Sequence, residues 1–152
     1  MSATSDILTG LAQLLDAEGI GTWRADNSAY QADEVAIILG VPPQSPDRVI
    51  TLAPYSASDD PTLSDTSQAV QLRFRGAPNT GVLPVLGLVD GAFDVLQNRS
   101  RFWLGATFVV QCHRQSQAYL GSDENQVGKL NHRHEFTSNY YFDIWRPSPN
   151  RT

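Results

Sequence analysis

A chain of 152 residues with a net charge of −5 lacks the cationic surplus of a duplex-binding surface, where clustered lysines and arginines neutralise phosphates. Its length allows one domain with a real hydrophobic core, and its single cysteine, Cys112, excludes an internal disulfide and a cysteine-only zinc site. Only 18% of residues are charged, against about 25% in an ordinary globular domain, which points to a subunit that hides surface in an assembly.

Ser5 and Asp6 are placed to cap a first helix whose Ile7, Leu8, Leu11, Leu14 and Leu15 share one face, and Gly19 and Gly21 end it. No basic leader with an apolar core precedes it and no apolar run approaches the ~18 residues of a membrane span, so a soluble cytoplasmic product is expected. The Asn98-Arg99-Ser100 sequon then carries no glycan. Gly21 to Ala25 reads as a short strand carrying Trp23, followed by a loop from Asp26 to Ser28. Val35 to Leu39 is a continuous apolar run, too short for a helix and suited to a buried strand. Val41 to Asp47 holds Pro42, Pro43 and Pro46 and reads as a rigid connection, because each proline fixes its own φ and restrains the residue before it.

Arg48 to Ser56 resumes as a strand. Ser56 to Ser67 is polar and acidic, with Asp59 and Asp60 near its middle, and is expected to form a long mobile hairpin loop. Gln68 to Gly76 alternates: Ala69, Gln71, Arg73 and Arg75 face one way, Val70, Leu72 and Phe74 the other, in natural pairing with Arg48 to Ser56. Arg73 and Arg75 read as interface or surface residues. Asn79 or Thr80 caps a second helix, Gly81 to Gln97, with Pro84 tolerated in its first turn. Its stripe is Val82, Val85, Leu86, Val89, Phe93 and Leu96. Gly87 and Gly91 each cost about 1 kcal/mol relative to alanine in a helix interior, so close packing against the sheet is expected there.

Arg101 to Gln111 is apolar on both faces and is expected to be one central strand. Cys112 at its end reads as a buried, inert thiol. From Gln117 the sequence turns polar, and Leu120 to Asn125 invites a metal or phosphate reading that the spacing refuses. With Asp123 as first calcium ligand, Val127 stands where an oxygen is needed and His134 where a bidentate carboxylate should close the cage. As a phosphate loop, it has six residues between Gly121 and Gly128, and Leu130 where Ser or Thr should follow Lys129. Arg133 to Trp145 then alternates cleanly, with His134, Phe136, Ser138, Tyr140, Phe142 and Ile144 on one face, and Pro147 and Pro149 stop it.

The sum is an α+β fold: a single domain over 1–152, with a mixed or antiparallel sheet of about four to six strands, two helices on one face, a long hairpin loop, and an extended tail at 146–152. Chemistry is thin. His113, His132 and His134 lack a supporting carboxylate, no Gly-x-Ser-x-Gly elbow is present, and Asp59-Asp60 reads as a solvated loop tip. The aromatics Tyr140, Tyr141, Phe142 and Trp145 are read as core and interface before base-stacking groups. No enzyme, metal site or cofactor is expected.

Several stretches, taken in order, resemble the phage tail terminator proteins, also called minor capsid proteins. They are the N-terminal helix; Ala36 to Gly40 followed by Pro46 to Leu52; Val70 to Gly76; and Tyr119 to Asn125 leading into His134 to Tyr140. One departure is that Gln126-Val127 delays Gly128 and Leu130 to His132 lengthens the segment. The resemblance implies a structural virion protein of the neck region, a hexameric ring that caps the head-proximal end of the tail tube. Its implied partners are further copies of itself, the tail tube protein and a head completion or stopper protein, with DNA passing through the bore without specific binding and no membrane partner. Ser56 to Ser67 and Gln115 to His132, too long and polar to serve the fold alone, are the expected contacts with neighbours, and Arg73 or Arg75 is expected to pair with acidic residues of a neighbour, so Asp59, Asp60, Arg73, Arg75, Asp123 and Glu124 are the candidate interface residues. Two alternatives stay open: a head-tail connector of stopper or adaptor type, and a small-ligand-binding or hydrolytic domain.

Overall fold

The computed structural model describes residues 2–123 and 132–152. Helix α1, Ala3–Ala17, buries Ile7, Leu11 and Leu15 along one face. Its cap is Ser2, whose hydroxyl accepts from the Ser5 backbone N–H at 3.1 Å, so Ser5 and Asp6 lie within the first turn instead of before it. Glu18 closes the helix, and Gly19, at φ +76°, turns the chain away.

Strands β1 (Thr22–Trp23), β2 (Ala36–Leu39), β3 (Val49–Asp59) and β4 (Asp65–Arg75) come next, then helix α2 (Leu83–Leu96), then β5 (Ser100–Leu104), β6 (Thr107–Asp123) and β7 (Arg133–Trp145). Among the described residues they form one sheet of seven strands in the order β1-β2-β3-β4-β7-β6-β5, more than the four to six expected. The sheet is mixed: β1 with β2 and β2 with β3 are parallel, and the remaining pairs antiparallel. Helix α1 packs on β1, β2 and β3 and also on β5 and β6, whereas α2 packs on β4, β6 and β7. A flat sheet cannot bring its first and last strands to one helix, so the sheet curls into a half-barrel. The helices therefore fill a trough instead of lying side by side on a flat face. Ile37, Leu52, Val70, Phe74, Phe136, Tyr140 and Phe142 meet both helices in one core.

Three expectations are corrected by the strand pairing. Ser56 to Ser67 is no long loop: β3 and β4 pair through Ser56↔Gln68, Ser58↔Ser67 and Asp59↔Thr66, leaving a short turn at 60–64. Backbone hydrogen bonds hold this polar end of the hairpin, and they leave no trace in side-chain hydropathy. Arg101 to Gln111 is a hairpin at the sheet edge and not one central strand. Gly105, at φ +57°, and Ala106 make its turn, and a side chain at Gly105 would meet the Asp6 carboxylate. Gln117 to Asp123, expected as a connection, is the far end of β6.

Helix α2 begins at Val82 without a side-chain cap; Thr80 instead donates its hydroxyl to the Ala77 carbonyl at 2.8 Å. Pro84 occupies the first turn, as its fixed φ allows. Val85, Val89, Ala92 and Leu96 are buried, with Val82 and Leu86 packed beside them. Gly87 faces open space, and Gly91 approaches Ile20, 3.2 Å from a built Cβ, so neither glycine is there for the sheet.

Candidate subunit interface

The two arginines of β4 that the alternation places together have different tasks. Arg75 is 5% exposed, and its guanidinium donates from Nε to the Asp47 carbonyl at 2.7 Å and from Nη2 to the carbonyls of Pro43 at 2.6 Å and Pro46 at 2.8 Å. It is therefore buried and not a surface residue: it staples the proline-rich segment over the outer face of its own sheet. Arg133 helps from β7, donating to the Gln44 carbonyl at 3.0 Å. Arg73, two residues before Arg75, is half exposed and makes a bidentate pair with Glu135 on the neighbouring strand, at 3.1 and 2.9 Å.

Asp60 organises the turn between β3 and β4. Its Oδ1 accepts from the backbone N–H of Leu63 at 2.7 Å and of Thr62 at 2.8 Å, and those bonds hold its carboxyl below the usual carboxylate range. The residues at 146–152, expected as an extended tail, fold back onto this turn. Arg151 donates to the carbonyls of Leu63 and Asp65 at 2.7 and 3.0 Å, and Thr152 N donates to Thr62 O at 3.0 Å. Asp59 is exposed beside the turn, in an open acidic hollow of ≈400 Å³ that Asp65 and Asp143 also line. Asp123 ends β6, and Glu124 and Asn125, the last two residues of the Leu120 to Asn125 segment weighed for metal and phosphate, lie outside the described residues.

The groups weighed for catalysis are engaged locally. His134 Nδ1 and the Tyr119 hydroxyl share a hydrogen bond of 2.7 Å, His132 Nδ1 lies 3.3 Å from the Ser122 hydroxyl, and His113 meets the Tyr141 ring edge-on. Among the described residues no group of three or more His, Cys, Asp or Glu is placed to hold a metal ion. Cys112 is fully buried, and burial pushes its thiol pKa well up, which keeps it protonated. Among the described residues no helix is long and apolar enough to cross a membrane.

The molecule also exposes two apolar sets. Among the described residues, the outer edge of β6 beyond Gln111, the last residue paired with β5, has no strand beside it. Gln115 to Ser122 on that edge contains no charged residue, and Tyr119 and Leu120 there are 52% and 48% exposed. Register shifts at Arg114/Ser116 and Tyr119/Gly121 bend this part of the strand. A second exposed set lies on the outer side of β5 to β7, where Trp103, Val110 and Trp145 stand out from the surface. Sequence reasoning missed it by reading Arg101 to Gln111 as central. The signal was present, since an apolar run with two greasy faces needs a second cover, and in an edge hairpin that cover is absent from the chain itself. No family model matches the chain, and no curated protein matches it.

Proposed function

We propose that this chain is a ring-forming structural subunit of a phage neck, a tail terminator that caps the head-proximal end of the tail tube, halts its growth and joins the tail to the head. The identity rests on the order in which the family-like stretches occur along the sequence. The structural observation that supports an assembly role is the uncharged, unpaired edge of β6 with Tyr119 and Leu120 exposed on it. A domain that works alone blunts such an edge with charge, bulges or a cover; Gln115 to Ser122 carries the bends but no charge, and an assembly subunit gives such an edge a neighbour. In this reading the subunit docks on the last ring of the tube through elements resembling those of a tube subunit. Its opposite face lacks the surface that would recruit another tube ring, so growth stops for want of a template.

Electron microscopy of particles assembled without this gene, with and without added protein, tests the proposal. Overlong tubes that fail to join heads, corrected by adding the protein back, are the expected result. Tails of normal length that fail to join would move the protein to the head side of the neck, and normal virions would refute the proposal.

A further inference from the structure

The first and last strands of the sheet carry surfaces of opposite shape. At the β5 end is a protrusion. Trp103 stands against Phe108 with ring centroids 5.2 Å apart, and the pairing of Val109 with Ile144 sets Phe108 beside Trp145 in the same outer row. Trp103 is 65% exposed and Trp145 56%. At the β1–β2 end is a hollow of ≈500 Å³ lined by Trp23, Tyr30, Ile37, Ile38, Leu39 and Pro43. Val41, between the lining residues Leu39 and Pro43, is 83% exposed. Arg24 also lines the hollow, its guanidinium 5.3 Å from the Tyr30 ring centroid and held by Glu34 at 2.8 Å.

We infer that the tryptophan row of one copy seats in the β1–β2 hollow of the next, a head-to-tail contact between copies of this chain. It deepens the proposed function and rests on the ring reading there, because it names the surfaces that close the ring. Three features favour a second copy as the occupant. The surfaces are different from one another and lie on separate strands, β5 to β7 against β1 and β2, and a cyclic, heterologous interface needs two such distinct patches on each subunit. At about 250 Å² for a whole tryptophan, the two exposed indoles leave roughly 300 Å² of aromatic surface uncovered, more than a third of the ~800 Å² each partner buries in a standard interface. The lining also suits an indole: Trp23, Tyr30, Ile38, Leu39 and Pro43 present aromatic and apolar surface, and the Arg24 charge is already balanced by Glu34.

The test uses the full chain and two substitutions at exposed positions, Trp103→Glu on the protrusion and Leu39→Glu in the hollow, with circular dichroism confirming that both fold. Sedimentation velocity is run on the wild type, on each variant and on their equimolar mixture. The wild type is expected to form a closed ring, and each variant alone to stay monomeric, its contact weakened about 30-fold or more, as for loss of a hot-spot side chain. The mixture should stop at a dimer, because it retains one intact protrusion and one intact hollow per pair. Rings that persist in either variant overturn the inference and leave the ring reading standing. Dimers formed by a single variant, or rings restored in the mixture, also overturn it, since both require another contact. A wild type that is monomeric at concentrations on the order of 1 mM overturns the inference and the ring reading together.

Discussion

Arg75 donates from Nη2 to the carbonyl oxygen of Pro43 at 2.6 Å, across 32 residues of sequence, and the proline segment is held on the sheet by that guanidinium. Removing it leaves the carbonyls of Pro43, Pro46 and Asp47 without this donor. Arg75→Met is expected to lower stability by about 3 kcal/mol, the scale of losing buried charge-assisted hydrogen bonds. Arg75→Lys should fall between, because an ammonium cannot reproduce the planar fork. Arg73→Met leaves the buried Glu135 carboxylate without its partly exposed partner and should cost about 1–2 kcal/mol, less than Arg75→Met. Urea unfolding midpoints of the three variants check the order, and equal losses at Arg73 and Arg75 would refute it.

Two glycines of the helices give opposite signs for one substitution. A Cβ on Gly10 would lie 2.8 Å from Leu104 Cβ and 2.9 Å from its Cα, so α1 must move off β5 to admit it. Gly10→Ala is expected to destabilise by about 1 kcal/mol or more, overpacking outweighing the gain in helix propensity. Gly87 has nothing within 4 Å, and Gly87→Ala should stabilise by up to about 1 kcal/mol. Thermal midpoints that shift the same way for both would contradict the packing described.

The parts of this fold that the sequence discloses are those with an uninterrupted period. The Ile7-Leu11-Leu15 line of α1, the alternation of β4 and the thirteen residues of β7 all appear in the structure where the pattern puts them. Across Gly105 the pattern misleads. The residues facing the core are Phe102 and Leu104 before the turn and Thr107 and Val109 after it, so the inward set switches from even to odd numbers. A continuous reading of Phe102, Leu104, Ala106 and Phe108 hides that switch. The polar ends of β3 and β4 were hidden for another reason, since main-chain pairing holds them, together with polar contacts from Asp60 and the distant Arg151. Arg73 and Arg75 look equivalent in sequence because the proline segment that buries one of them is far away along the chain.

Asp60 makes part of the stability depend on acid. Its folded pKa is depressed by the Leu63 and Thr62 N–H groups, so its contribution is present above the unfolded carboxylate pKa, about 4, and is lost as pH falls through the lower folded value. Asp60→Asn keeps an acceptor oxygen for the turn and removes the titration. The wild type should therefore lose more stability than Asp60→Asn between about pH 5 and pH 2, in urea titrations at each pH. Parallel curves would show that the turn does not feel this charge.

Cys112 gives a chemical reading of global opening. Because its thiol is buried and its pKa raised, alkylation of the native protein at pH 8 should run on the order of 10³-fold or more slower than in denaturant, tracking the unfolded fraction. Fast labelling of the folded chain would place the thiol at the surface.

The contact of α1 with both ends of the half-barrel also bears on how the chain acquires its shape. The Thr107 hydroxyl donates to Asp6 at 3.3 Å over a separation of 101 residues, and Gly10 is fitted to Leu104 nearly as far along. Helix α1 precedes every strand of the sheet along the chain, yet the strands that cover its second side are among the last of them. Until β5 and β6 arrive, its apolar face has only half its final cover, and the curl of the sheet has no closing contact. Folding must therefore commit late, limited by loop closure across most of the chain, in the slow regime of topologies built from distant pairings.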